Sequence, residues 1–403
     1  MHDTELQKIL KQFQLPLTNP VLIFSLILGI ILLAPLLMRK LKMPGIVGFI
    51  LAGIAAGPFG LNLLQKTTAV ELFSTIGLLY IMFIAGVELD MDEFKLKRQK
   101  SLVFGLLTFA IPILIGFPVC HILLGYPMTA SLLTTIMFAT HTLVAYPIVS
   151  KYGVAKNEAV AIAVGGTILT DTAVLILLAV IMDANNNGLS AAFWIQLGIS
   201  LTLFTLVMFL VIPRIAKWCL TRLDDENISH YVFVLAIVFL SAFLAQLAGV
   251  EPIIGAFAAG LALNKLIKPA PVLMNRISFV GNAIFIPFFL ISVGMLVNLR
   301  VLFMGPAAIT VALSLTVAAI TGKWLSAWLT QQIFKYNAVQ RGLIFGLSSS
   351  HAAATLAIIL VGYKANILDK NILNGTIILI LVTCVVASFA TERAARALIN
   401  KKV

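Results

Sequence analysis

The sequence has 403 residues, of which 61% are hydrophobic and only 11% are charged, and its mean hydropathy is +1.06. A water-soluble protein of this length could not cover its surface with so few polar groups, so the composition indicates a polytopic membrane protein. The net charge of +12 would suit a nucleic-acid binder in a soluble chain, but here the bases lie in short segments between apolar runs. This is the pattern of topology signals, and we expect no nucleic-acid partner.

Apolar runs separated by Gly, Pro and charged residues predict an all-α membrane protein with about thirteen spans. A hydrocarbon core of about 30 Å requires roughly 20 apolar residues per helix, so the short second and ninth spans are the weakest predictions. The polar residues before the first span lack the pattern of a removable signal peptide. The spans are predicted near 20–38, 44–60, 68–88, 101–124, 128–150, 157–182, 190–213, 229–249, 251–267, 277–298, 302–333, 339–362 and 370–392.

The basic residues between these spans predict the orientation in the membrane. If the spans alternate in direction, most of the 28 Lys and Arg residues fall on one side, in the odd-numbered connections and the C-terminal segment. Short cytoplasmic loops are the ones enriched in Lys and Arg. We therefore expect the N-terminus outside and the C-terminus in the cytoplasm.

The fifth span is interrupted by Thr140, His141 and Thr142. A helix broken at mid-membrane exposes backbone carbonyls toward a site, and hydroxyl and imidazole groups can satisfy the freed backbone. A histidine that forms hydrogen bonds between helices is the slightly favoured interpretation of His141.

The sixth span, 157–182, carries one carboxylate close to its middle, Asp171. An unpaired charge at that depth costs about 2.5 to 3.5 kcal/mol on insertion scales, and intramembrane carboxylates commonly mark ion or proton pathways. Because its charged form is disfavoured there, Asp171 can hold a proton or exchange it for a hard monovalent cation. Gly165 and Gly166 allow close backbone approach, and Thr170 supplies a hydroxyl oxygen. The alternative is a structural carboxylate that bridges neighbouring helices.

Lys323 is the only base away from the ends of a predicted span, and it lies in the eleventh. An ion pair with Asp171 would hold both charges until a cation displaces the ammonium group. The alternative is a lysine whose stem packs on Trp324 or Trp328 while its head reaches the membrane interface.

The twelfth span has a second polar interruption, which also includes a histidine. Hydrogen bonding between helices is again the slightly favoured interpretation of this histidine. Residues 349–363 weakly resemble 139–153, and 374–389 weakly resemble 165–180. Corresponding segments of opposite orientation are typical of inverted-repeat transporters, which predicts one repeat at 20–182 and a second at 229–395 within a single transmembrane domain. The interruption consists of Ser348, Ser349, Ser350 and His351.

The sequence contains no motif for ATP binding and no nucleophile with a convincing base beside it. The three cysteines are isolated, and the histidines do not have metal-ligand spacing. We therefore expect no enzymatic activity, no ATP as a partner and no cofactor.

Four segments resemble the monovalent cation:proton antiporter superfamily, most closely the branch of bacterial sodium/proton antiporters and the membrane domains of potassium efflux systems. The resemblance implies inverted repeats, a core domain with two crossing broken helices, a dimerisation domain and an elevator mechanism. It also implies a homodimer in the bacterial inner (plasma) membrane, in contact with lipid. The segments are MPGIVGFILAGIAAGPFGL (43–61), ELFSTIGLLYIMFIAGVELDMDEF (71–94), EPIIGAFAAGLALN (251–264) and FIPFFLISVGMLVNL (285–299).

The implied function is secondary antiport of Na⁺ or K⁺ against protons. The ion-binding aspartate of the family falls on Asp171 and its membrane lysine on Lys323. Relatives carry Asp or Asn before that aspartate and this chain has Thr170, which leaves the proton stoichiometry open. Alternatives are a potassium efflux channel-like protein, a sodium-coupled organic anion symporter of similar fold and a sensor without transport. No soluble regulatory domain is expected.

Overall fold

The computed structural model describes residues 14–41, 43–88, 98–186, 191–222, 227–298, 300 and 305–400. Every regular element in these ranges is helical, which confirms the predicted all-α class. The charged residues Lys42, Asp90, Asp92, Glu93 and Lys95 lie outside the described residues.

The helices follow the predicted spans closely. Within the described ranges, nine helices are long and apolar enough to cross a membrane, and four further apolar helices are shorter. In chain order the helices are α1 Pro20–Lys40, α2 Gly45–Ala56, α3 Thr68–Glu88, α4 Arg98–Pro118, α5 Met128–Ala139, α6 Tyr146–Lys151, α7 Glu158–Asn186, α8 Ala191–Leu206, α9 Ile212–Arg222, α10 Asn227–Leu247, α11 Pro252–Ile267, α12 Pro271–Val280, α13 Ile286–Met295, α14 Pro306–Phe334, α15 Ala338–Ser348, α16 Ala353–Lys364 and α17 Lys370–Asn400.

Three helices continue through a π-helical turn rather than ending. These turns lie at Val119–Leu123 after α4, at Val207–Val211 between α8 and α9, and at Gly281–Phe285 between α12 and α13. The predicted fourth, seventh and tenth spans are therefore continuous helices, each with one π-helical turn. A π turn inserts one residue into the helical repeat and commonly marks a bend or a functional position.

The last helix is longer than the sequence predicted. The prediction ends at residue 392, where the apolar pattern stops, whereas α17 runs to Asn400. The additional turns contain Ala and Arg, which favour helices, and Glu392 pairs with Arg396 one turn later at 2.5 Å. The apolar period predicts the membrane portion of a helix but not its polar extension.

The helices form two packing groups. In the first group α3 packs on α11 and α13, α13 packs on α2, α2 on α1, and α10 on α11. In the second group α4 packs on α5, α7 and α14, while α17 packs on α14, α15 and α16. Asp171 and Lys323 belong to the second group, together with both interrupted spans.

Glycines bring backbones into contact inside each group. A Cβ atom added to Gly260 of α11 would lie 2.9 Å from the Cα of Gly86 in α3, and one added to Gly322 of α14 would lie 2.7 Å from the Cα of Pro112 in α4. Small residues at such crossings are the usual means of tight helix association in membranes. Each group is therefore internally close-packed.

The outer surface of the bundle is apolar. Leu32, Leu114, Ile122 and Phe279 are each at least 67% exposed. In a soluble protein so many exposed large side chains would cause aggregation, whereas here they face the acyl chains of a bilayer. The chain is an integral membrane protein.

Candidate functional site

Asp171 lies in the middle of α7, inside the second packing group. Its helix approaches α4 closely, because a Cβ atom on Gly166 would lie 2.6 Å from the ring of Phe104. Asp171 is 3% exposed and Thr170 is fully buried. The Thr170 hydroxyl donates to the carbonyl oxygens of Thr167 at 2.9 Å and Gly166 at 3.2 Å, one turn earlier in its own helix. Its oxygen lone pairs remain available to a cation.

Neither carboxylate oxygen of Asp171 accepts a hydrogen bond from the residues that the structure describes. The backbone N–H of His141 lies near the carboxylate without completing a hydrogen bond to either oxygen. Lys323 and Glu251 are close enough to act on its charge electrostatically. A buried carboxylate without protein partners is unfavourable unless it binds a proton, a cation or water.

The first interruption begins where α5 ends at Ala139. Thr140 is extended, with φ −62° and ψ 152°, and its hydroxyl donates to the carbonyl oxygen of Met137 at 2.7 Å. Residues 140–145 are not helical, and α6 resumes at Tyr146. The helical break therefore falls on the segment that the sequence predicts.

Lys323 reaches the end of α5 from α14 and is fully buried. Its ammonium donates to the carbonyl oxygen of Ala139 at 2.6 Å and to the hydroxyl of Thr108 at 3.1 Å. A cation at the C-terminal end of a helix stabilises the carbonyls that lack helical partners. The direct ion pair with Asp171 that the sequence suggested is not formed, because the broken helix supplies carbonyl acceptors that compete for the ammonium. The snorkelling alternative is also wrong, because the ammonium is buried.

A chain of hydrogen bonds connects Lys323 to the Asp171 helix through His141. Nδ1 of His141 lies 3.5 Å from Nζ of Lys323, and its Nε2 lies 2.6 Å from the hydroxyl oxygen of Thr167. A charged lysine can only donate, so Nδ1 is the acceptor and Nε2 carries the ring proton. The Thr167 hydroxyl then donates to the carbonyl oxygen of Ala163 at 3.1 Å. His141 thus has the hydrogen-bonding role between helices that the sequence favoured.

The second interruption separates α15 from α16 and pairs with the first. The backbone N–H of Thr142 donates to the carbonyl oxygen of Ser350 at 2.9 Å, and the Ser350 hydroxyl donates back to the carbonyl oxygen of Thr142. Beside this pair, the hydroxyls of Thr140 and Thr355 are 2.9 Å apart. Two non-helical segments from distant parts of the chain therefore cross at one point.

His351 fixes the second interruption to the end of α5. Its ring nitrogens face two carbonyl oxygens, that of Ser349 at 3.0 Å and that of Phe138 at 3.3 Å. The Ser348 hydroxyl bonds back to its own helix at Phe345. The Ser349 hydroxyl is buried and has no hydrogen-bond partner in the described part of the chain. Within the described ranges it is a further buried oxygen without a partner, in addition to the two of Asp171.

The hydroxyl-bearing residues of α7 and of the interrupted segments suit a monovalent cation better than a transition metal. Among the described residues, no group of three or more His, Cys, Asp or Glu side chains could hold a metal ion. Hydroxyl and carbonyl oxygens with one carboxylate are instead the ligands that hard cations of low charge accept.

Two cavities approach the crossing from opposite ends of the bundle. The inner cavity, about 430 Å³, lies on the side predicted to be cytoplasmic and is lined by residues of α1, α2, α13, α6 and α17, including Ile46, Ser150 and Glu392. The outer cavity, about 300 Å³, is lined by residues of α3, α13, α16 and α17, together with Ala352 of the second interruption. Asp171 lines neither of these two cavities.

The structure brings the predicted residues into one region, but the sequence did not predict all of the residues that contact them. The sequence analysis did not identify Thr108, Thr355 or Thr383. All three form hydrogen bonds in this region; the hydroxyl of Thr383, for example, accepts one from the backbone N–H of His351 at 3.2 Å. Each is a lone threonine in an apolar span, a pattern that also fits helices without a site. Glu251, which immediately precedes α11, also acts on Asp171 electrostatically.

The sequence model for the transmembrane sodium/hydrogen exchanger family matches residues 27–397. The chain belongs to the sodium/hydrogen exchanger family. A curated exchanger, the Na⁺/H⁺ antiporter NhaS5 of Synechocystis, is 35% identical over 94% of this chain, which spans 55% of that relative's length. The probable Na⁺/H⁺ antiporter 3 of Methanocaldococcus jannaschii is 26% identical, over 94% of this chain and 98% of its own length.

A solved exchanger has the same fold. The sodium proton antiporter MjNhaP1 from Methanocaldococcus jannaschii matches with a TM-score of 0.67 at 19% identity, over 94% of this chain and 97% of that chain. The family match confirms the antiporter superfamily that the sequence motifs resemble. It is a family of transporters of cations and protons.

Proposed function

We propose that the chain is a secondary antiporter that exchanges a monovalent cation, Na⁺ or K⁺, for protons, with Asp171 binding the two in turn. The observation that carries this proposal is the pair of buried carboxylate oxygens without a partner at the centre of α7. Exchange follows because one carboxylate can be neutralised by a proton or by a cation, but not by both.

The cation's oxygen ligands would come from Asp171, from the hydroxyl of Thr170 and from carbonyl oxygens of the interrupted segments. The hydroxyls of Thr140, Thr142, Ser348, Ser349 and Ser350, with His141 and His351, would shape this shell. The unpaired hydroxyl of Ser349 supports this assignment. Such a shell does not by itself favour Na⁺ over K⁺.

Lys323 would compensate the negative charge of Asp171 when neither proton nor cation is bound. The ammonium acts on Asp171 electrostatically but keeps its own hydrogen bonds to Ala139 and Thr108. Because these contacts do not depend on the carboxylate, a cation can bind Asp171 without first displacing the lysine. This differs from a mechanism in which the two side chains form a salt bridge that must open.

Transport would proceed by alternating access. The inner and outer cavities each reach one interrupted helix, and Asp171 lines neither of the two, as an occluded state requires. Movement of the second packing group against the first would open Asp171 to one cavity and then to the other, as in an elevator. The inverted repeats 20–182 and 229–395 would provide the two related end states.

The same proposal includes the setting of the protein. The bias of Lys and Arg favours a cytoplasmic C-terminus, and bacterial relatives such as NhaS5 favour the inner (plasma) membrane. A homodimer would form through the first packing group, in contact with membrane lipid.

The test is dissipation of an imposed pH gradient in proteoliposomes upon addition of Na⁺, K⁺ or Li⁺, with and without a membrane potential. The wild-type protein should respond to at least one cation, and Asp171→Asn should not. Asp369→Asn is the matched control, because this exposed aspartate caps α17 and asparagine also caps helices. Unimpaired exchange in Asp171→Asn would contradict the assignment. Cation current without proton coupling would indicate a channel, and labelled organic anion uptake would indicate a symporter.

A further inference from the structure

Glu88 connects the two packing groups at the inner end of the bundle. It is the last residue of α3 in the first group, yet both of its carboxylate oxygens accept hydrogen bonds from α6 in the second. The hydroxyl of Tyr146 donates to Oε2 at 3.1 Å, and the hydroxyl of Ser150 donates to Oε1 at 2.7 Å. One side chain thus spans the boundary between the groups.

The end of α3 that carries Glu88 is held firmly within the first group. The side-chain amide of Asn264 in α11 donates to the carbonyl oxygens of Val87 at 2.6 Å and Gly86 at 3.3 Å. Gly86 also packs against the backbone of α11, where an added Cβ would clash with Phe257. The backbone that carries Glu88 is therefore held in place by α11.

Its partners lie on a short helix of the second group. Helix α6 has only six residues and directly follows the first interruption, whose Thr142 pairs with Ser350. A force applied to α6 is therefore transmitted to the crossing segments. Ser150 also lines the inner cavity, opposite first-group residues such as Ile46 and Asn282. The Glu88 hydrogen bonds thus lie beside the space that must change when the two groups move.

We propose that Glu88 is a positioning residue for exchange, whose carboxylate latches α6 to α3 and restrains the two packing groups in the arrangement described above. The latch opens when the second group moves and re-forms when it returns. This inference rests on the proposed alternating access. In this proposal Glu88 influences the rate of the conformational step, whereas Asp171 binds the cation and the proton.

The first test ties the two groups together covalently at the latch. Glu88→Cys and Ser150→Cys are combined, treated with a short bis-thiosulfonate cross-linker and reconstituted, and each single variant receives the same treatment as a control. Cross-linked protein should lose exchange, and a reductant should restore it. Full exchange by cross-linked protein would overturn the latch, while wild-type exchange that is lost in Asp171→Asn would still support the proposed function. Absence of exchange in the wild type would overturn both.

The second test separates a latch from a merely structural contact. Glu88→Ala and the double variant Tyr146→Phe/Ser150→Ala remove the same hydrogen bonds from opposite sides. Each should change kcat by about threefold or more in the same direction, and the triple variant should add nothing further, because the changes act on one interaction. Glu88→Gln, which retains an acceptor, should recover part of the wild-type rate. Additive effects, or an unchanged kcat in all variants, would overturn the proposal.

Discussion

Replacement of Lys323 by methionine tests whether the lysine stabilises the broken helix. The substitution keeps much of the apolar stem and removes the ammonium that donates to the carbonyl oxygen of Ala139 at 2.6 Å and to the hydroxyl of Thr108 at 3.1 Å. Loss of the donor leaves a buried carbonyl unsatisfied, which costs about 1 to 3 kcal/mol. Removal of a positive charge from a helix C-terminus costs up to about 2 kcal/mol more.

One effect opposes these losses, because the variant no longer buries an ammonium group. We therefore expect a net destabilisation of about 1 to 3 kcal/mol, or a decrease in the apparent Tm of about 2 to 6 °C for a chain of this size. The assay is thermal unfolding of the purified protein in detergent at one fixed heating rate. Lys217→Met is the matched control, because Lys217 is exposed on α9. An unchanged Tm in Lys323→Met, or an equal decrease in the control, would refute the reasoning.

Three further substitutions have definite expected outcomes. Gly322→Leu should lower the apparent Tm, since its Cβ would lie 2.7 Å from the backbone of Pro112 and overpacking costs about 1 to 3 kcal/mol; wild-type stability would mean that α4 and α14 can separate freely. Tyr336→Phe should destabilise the folded protein by about 1 kcal/mol in the same assay. Burial and the neighbouring Glu158 raise the pKa of Tyr336, so its hydroxyl stays protonated and donates to Glu158 at 2.7 Å. An unchanged Tm would show that this hydrogen bond contributes little. Thr170→Val should raise the half-saturating cation concentration in the exchange assay by about tenfold, as expected from losing one ligand of about 1.4 kcal/mol; unchanged half-saturation would remove the Thr170 hydroxyl from the shell.

The predictable part of the fold is what the bilayer dictates. Spans must be apolar and helical, so length and hydropathy locate them. The two interruptions were predictable because polar runs such as Thr140–Thr142 are unfavourable in an apolar span unless the backbone there has other partners. The close pairing of Thr142 with Ser350 was suggested only by a weak internal similarity and a family resemblance.

The partners of the buried charges were not predictable from the pattern. Asp171 and Lys323 are an acid and a base in otherwise apolar spans, so the simplest prediction joined them. The structure instead places the ammonium on Ala139 and Thr108, because the end of a broken helix exposes carbonyl oxygens at the same depth. Because every residue has a backbone carbonyl oxygen, the sequence does not indicate which carbonyl will accept a hydrogen bond from a buried lysine. Likewise, nothing in the sequence around Glu88 indicates that α6 supplies its partners.

Proton release upon cation binding tests the central role of Asp171 most directly. Purified protein in weakly buffered detergent solution is titrated with NaCl or KCl, and the pH of the solution is recorded with an indicator dye. A ligand that must be deprotonated to bind a cation releases its proton on binding. The wild-type protein and Asp369→Asn should release about one proton for each cation bound, and Asp171→Asn should release none. Equal release from Asp171→Asn would contradict the account, since cation and proton would then compete at another group.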